Sequence, residues 1–252
     1  MIEVDVGLLG LILIIVGILA GICNAVAGLA SLVAYPSLLA LGLPPIMANV
    51  TNTVALIFSG VGATISSQKE LRGAHKELLT FLPITLLGCI CGALLLFAIP
   101  ESDFEKIVPF FILFGAFAEL VPYTKRPNQE VSLLTKLLAL VGVFLVGVYS
   151  GYFGAAAGVL MLALLGIISN EPFAKYNAEK NVIFAIANVI SAIIYGLNTR
   201  LLWHWIIPLA IGFLIGGYIG PIIVRHTPTR LLKLLIGFGA IILAISLFIQ
   251  AY

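Results

Sequence analysis

The sequence predicts an all-α polytopic membrane protein, and three observations carry that prediction. Of 252 residues, 62% are apolar and only 10% charged, and the mean hydropathy is +1.19. A soluble domain has about a quarter of its residues charged, so this chain lacks the charge to wet the surface of a 26.8 kDa globule. The apolar residues also form unbroken runs, where a lipid-facing β-barrel would alternate apolar and polar. Finally, most runs approach the roughly 20 residues that cross a hydrocarbon core. A disordered chain and a nucleic-acid binder are excluded by the same composition.

Taken in order, the runs fall near 4–27, 29–43, 46–66, 78–99, 105–121, 132–152, 155–169, 178–197, 202–224 and 230–250. The first follows Glu3 and Asp5. A cleaved signal peptide would start with positive charge, so this run is expected to be a retained membrane helix. Charged or Pro-rich stretches at 68–77, 100–106, 122–130, 170–180, 198–200 and 225–230 separate most runs. The breaks near Gly28 and Gly154 carry only small residues. Cys23, Cys89 and Cys91 all lie inside apolar runs and are expected to pack, with no metal or disulfide role.

Counting Lys and Arg chooses between eight and ten segments, because cytoplasmic loops are enriched in both. If Gly28 and Gly154 are mere kinks, eight spans place seven cations inside and six outside. If the chain reverses at both glycines and starts outside, eleven lie inside and two, Lys106 and Arg200, outside. The second path is therefore expected, with both termini outside the cytoplasmic membrane. A full span and a re-entrant hairpin have the same parity, so eight to ten transmembrane helices remain open. Run 29–43 is about 22 Å of helix, short for a core of about 30 Å.

Ten segments suggest two fives. Shifting the sequence by 126 aligns 21–58 with 147–184 without a gap, with nine of 38 positions identical. An odd number of segments per copy turns the second copy upside down. The expected organisation is two inverted repeats of five hydrophobic segments, 1–121 and 132–252, joined by a cytoplasmic linker at 122–131. Inverted repeats with Gly-interrupted segments belong to transporter architecture, with the site near the midplane.

The first candidate site is the break carrying Asn24, Gly28, Ser31 and Pro36, with Ser150, Gly154 and Gly158 opposite. A helix starting just after each break aims free N–H groups and a positive dipole end at an anion. The same small-residue spacing also packs helices closely, and both readings stay open. The second candidate is Thr51 and Asn52, with Asn177, Lys180 and Asn181 opposite and Asn188 further along the same helix. These polar groups either cap helices or donate to a solute; Lys180 is either a positive-inside anchor or an anion attractor. No Asp or Glu is expected mid-span, and Glu119 is expected to be interfacial. That argues against a cation carrier, since such carriers show buried carboxylates. No enzyme motif, P-loop or cofactor site is present, so the protein is not expected to be an enzyme.

With those residues in view, the chain resembles the sulfite exporter TauE/SafE family of membrane permeases. The resemblance rests on Asn24, Gly28, Ser31 and Pro36 with the following Gly42-Leu-Pro and Ala48-Asn-Val-Thr51-Asn, and on Gly151-Tyr-Phe-Gly154-Ala-Ala-Ala-Gly158. The chain departs from it where Gly28-Leu-Ala-Ser lacks the family's run of glycines, where Leu162 stands opposite Pro36, and where Asn177 replaces a common Thr. The resemblance implies transport of small sulfur-containing anions such as sulfite or sulfonates, often as export. The expected substrate-binding residues are Asn24, Gly28, Ser31, Thr51, Asn52, Ser150, Gly154, Asn177, Lys180, Asn181 and Asn188. The expected partners are a small anionic solute and the lipid bilayer, with the coupling ion (proton or sodium) and the oligomeric state open. An uncoupled anion channel, a carrier of a non-sulfur organic anion and a non-transporting membrane subunit are the rival readings.

Overall fold

A computed structural model describes residues 6–98, 132–169 and 171–228, and four single helical positions at 231, 234, 238 and 245. The run at 105–121, the linker at 122–131, Glu119 and most of the run at 230–250 lie outside the described residues.

Eight helices are described: α1 (Val6–Ala27), α2 (Ser31–Ala40), α3 (Pro45–Ser66), α4 (His75–Ala98), α5 (Leu133–Tyr152), α6 (Ala157–Ile168), α7 (Phe173–Asn198) and α8 (Trp203–His226). No strand is present among the described residues. Their starts have local causes. Pro44 and Pro172 sit just before α3 and α7 with extended ψ of 151° and 152°, a position where the missing N–H costs nothing. Ser132 caps α5 by accepting the Thr135 N–H at 3.2 Å. α7 begins five residues before the apolar run at 178–197, so the charged stretch at 170–180 is largely helical.

Six of these helices are long and apolar enough to cross a membrane. α2 and α6 have ten and twelve residues, roughly 15 and 18 Å of helix, well short of a core of about 30 Å.

Glycines fix how the long helices pack, by letting backbones touch. Gly17 of α1 lies against Gly212 of α8, and Gly21 against Gly216. Both numbers rise together, so α1 and α8 run parallel. Gly217 meets Ser59 of α3, while Arg225 reaches the Ser66 carbonyl, so α3 runs parallel to them. In the other group, Gly88 and Gly92 of α4 meet Val148 of α5, and Gly151 of α5 meets Cys89. α7 lies parallel to α4: Cys89 Sγ is 3.0 Å from Ser191 Oγ, and the Phe97 and Tyr195 rings pack edge to face at 5.7 Å. The two groups meet antiparallel, since Thr199 reaches Met47 at 3.6 Å while Gly60 packs on Ala185. Thus α1, α3 and α8 run one way, and α4, α5 and α7 the other. Arg225 at the end of α8 pairs with Glu70 in the turn after α3 at 2.6 Å. An eight-span path with kinks at both glycines would put these two residues on opposite faces.

Candidate functional site

Helices α1 and α5 both stop at a glycine in the left-handed region, Gly28 (φ +77°) and Gly154 (φ +75°). Only glycine takes that conformation freely. Gly28 donates its N–H to the Asn24 carbonyl at 2.6 Å, and Gly154 to the Tyr149 carbonyl at 2.9 Å. α2 and α6 each start three residues beyond their glycine. A methyl group on Gly28 would lie 2.2 Å from Gly158 Cα, so the two breaks cross backbone to backbone. Ala156 is the exception to glycine here, with φ +61°, a conformation that costs an L-residue roughly 1–2 kcal/mol.

A helix end leaves carbonyls without intrahelical partners, and the opposite half of the chain supplies them. The Ala25 carbonyl accepts from Asn177 Nδ2 at 2.9 Å and Asn181 Nδ2 at 3.1 Å, both on α7. Lys180 Nζ, 1% exposed, donates to the Asn24 carbonyl at 3.0 Å. A cation there also suits the negative end of the α1 dipole. At the end of α5, Asn49 Nδ2 of α3 donates to the Tyr152 carbonyl at 3.2 Å; the Tyr195 hydroxyl, from the same half as α5, donates to the Gly151 carbonyl at 2.5 Å.

Between the breaks lies a cavity of about 20 Å³, lined by Asn24, Gly28, Ser31, Ser150, Gly154 and Asn188 among others. That is room for about one water molecule. Leu56 and Phe184 also line it; both sit near the middle of their helices, so the cavity is at mid-depth. The first residues of α2 and α6, Ser31 and Ala157, border it, which presents two positive helix ends to one small polar space. Asn24 Nδ2 is held by Ser59 Oγ at 3.0 Å, and Asn52 Nδ2 holds Ser31 Oγ at 2.9 Å.

Six of the eleven expected residues thus meet at the cavity. Asn52 stands behind them through Ser31. Asn177, Lys180 and Asn181 turn their donors to the α1 carbonyls instead, and Thr51 is buried, its hydroxyl unpaired among the described residues. Asn49 was not among the expected residues. Ungapped alignment sets Thr51 opposite Asn177, but α6 is two residues longer than α2. Counted from the helix start, Asn49 and Asn177 are each the fifth residue.

Acidic groups were expected to be absent from mid-span; Glu179 is only the seventh of the 26 residues of α7, yet it is fully buried. The reason is the early start of α7, which carries the charged stretch into the packed bundle. Glu179 faces Glu77 of α4. Glu77 in turn lines a second cavity, of about 540 Å³, with Lys136 and Glu171.

Residues 13–247 match the family described as Sulfite exporter TauE/SafE. The chain belongs to this family. Among curated relatives it is 24% identical to the "Probable membrane transporter protein YfcA" of Escherichia coli K12, over 96% of this chain and 90% of that protein. A "Probable membrane transporter protein" of Haemophilus influenzae is 28% identical over 86% of each chain. No solved structure matches the chain. It is a multi-pass membrane transporter of the TauE/SafE family.

Proposed function

We propose that this TauE/SafE protein is a secondary or passive carrier that moves a small sulfur-containing anion, such as sulfite or a sulfonate, across the cytoplasmic membrane by alternating access, in the direction of export. The observation that carries this is the mid-depth cavity between two helix N-termini. Its donors are a side-chain amide, hydroxyls and backbone N–H groups, a set that binds an oxyanion without a fixed cation. The cavity holds about one water, so a sulfur oxyanion enters only when the two crossed breaks part. We read residues 1–121 and 132–252 as inverted repeats with re-entrant hairpins at Gly28 and Gly154. The support is reciprocal: α1 packs on α8 as α5 packs on α4, each counterpart runs antiparallel, and each half caps the broken helix of the other. Asn177, Lys180 and Asn181 then control the site by holding the end of α1.

The test is counterflow of labelled sulfite in proteoliposomes, with sulfoacetate, taurine, thiosulfate, sulfate and acetate as competitors. Exchange of a sulfur anion but not acetate is expected, and Asn24→Ala with Ser31→Ala should weaken it. Conductance without counterflow would make the protein an anion channel, and exchange of acetate alone would remove sulfur from the substrate class.

A further inference from the structure

Glu179 is fully buried in α7, about 9 Å along the axis from the first residue of that helix. Among the described residues, no hydrogen-bond donor meets either of its carboxyl oxygens. The side chain that faces them is another carboxyl, Glu77 from α4. Two facing carboxylates repel, and they attract only when one proton lies between them.

The surrounding charges do not replace that proton. Lys175, one turn earlier on the same helix, acts on Glu179 through its charge but pairs with Glu171 at 2.7 Å. Lys136, on α5, lines the 540 Å³ cavity together with Glu77. Lys180, the next residue after Glu179, donates to the Asn24 carbonyl. Glu171, in the turn before α7, adds a further negative charge.

We propose that Glu179 and Glu77 form a proton-binding site that couples proton movement to anion transport, an inference that rests on the carrier reading above. The site has both things a coupling site needs. Glu77 lines a cavity wide enough to bring water to it. Glu179 adjoins Lys180, which holds the end of α1, and Asn24 of that end lines the mid-depth cavity. With one proton bound, the pair carries one negative charge and Lys180 stays on the Asn24 carbonyl. Loss of that proton leaves two negative charges within about one helical turn of Lys180. Consecutive helix residues do not face each other, so these charges act on the ammonium through space: they weaken its hold on the Asn24 carbonyl and loosen the break that closes the anion site.

The test has two arms on the full-length protein. Infrared difference spectroscopy during a pH titration reads the C=O stretch of a protonated carboxyl without any substrate. The wild type should show such a band at neutral pH and lose it on alkalinisation. Glu179→Gln should lack it, and Glu77→Gln, which removes the partner charge, should shift its midpoint; size-exclusion profiles identify folded variants. A folded Glu179→Gln that keeps the wild-type band overturns the site. In the second arm, labelled sulfite and an internal pH dye are followed together in proteoliposomes. Wild-type sulfite flux should depend on pH and carry protons. Both features should be lost in Glu179→Gln. Sodium movement in place of protons, or unchanged proton flux in that variant, overturns the coupling. If the wild type moves no sulfite at all, the substrate reading fails, while the infrared arm still decides whether the pair holds a proton.

Discussion

Asn177 and Asn181 stand one turn apart on α7 and give the same carbonyl, that of Ala25, two donors. Removing one amide leaves the other in place; removing both orphans a buried acceptor, which costs about 1–3 kcal/mol. Asn177→Ala and Asn181→Ala should therefore each lower the thermal midpoint in detergent slightly, and the double variant by more than their sum. Strict additivity would show that these amides do not share the cap. Such residues were legible in the sequence as polar groups in apolar runs, but not their targets. A side-chain amide looks the same whether it meets a solute or an orphan carbonyl, and only the crossing of the two breaks decides it. Asn49 stayed hidden because the two extra residues of α6 shift the register of everything after it. Glu179 was hidden by its charged neighbours, which look like a loop until Pro172 is seen to start the helix.

Helix pairing in this bundle depends on positions where no side chain fits. A Cβ on Gly92 would lie 1.8 Å from the Val148 carbonyl oxygen, whereas one on Gly10 would meet nothing within 4 Å. Gly92→Ala should thus push α4 off α5 and destabilise by about 1–3 kcal/mol or more. Gly10→Ala should be neutral or slightly stabilising, because alanine favours helix by about 1 kcal/mol. Equal effects in an unfolding series would sink this account. A second element contact sits at the bundle's end, where Arg225 holds Glu70. The hydrogen bond from Arg225 keeps the Glu70 carboxyl below the usual carboxylate range. A lowered folded-state value means the stabilisation is present above the unfolded pKa and is lost as pH falls through the lower one. Glu70→Gln should therefore cost about 0.2–1 kcal/mol at pH 7, and the difference from wild type should vanish in acid. The long helices themselves were legible at nearly every boundary, because a membrane span needs an unbroken apolar length and little else. Their partners were not legible, since the glycine stripes that select them give the same pattern for any pair of small-residue faces.

At the scale of the whole molecule, one end of the bundle gathers the charge. Glu70 meets Arg225 there, Glu171 meets Lys175, and Glu77, Lys136 and Glu171 line one cavity. Orientation in the membrane is then a single binary choice, because these groups move together. We propose that this end is cytoplasmic, on the excess of Lys and Arg over the reversing path, eleven against two. The turn around Asn198, at the opposite end of α7, then faces outward. Both Arg72 and Asn198 are exposed, so single cysteines at these positions report on the choice once Cys23, Cys89 and Cys91 are replaced by alanine. In intact bacterial cells an impermeant maleimide should label Asn198→Cys and leave Arg72→Cys untouched until the membrane is permeabilised. The reverse pattern would turn the protein over. It would put the Glu77 cavity on the outer face, so protons for the buried carboxyl pair would come from outside. Labelling of both positions in intact cells would place the two ends on one side, which helices of 20 to 26 residues between them do not allow.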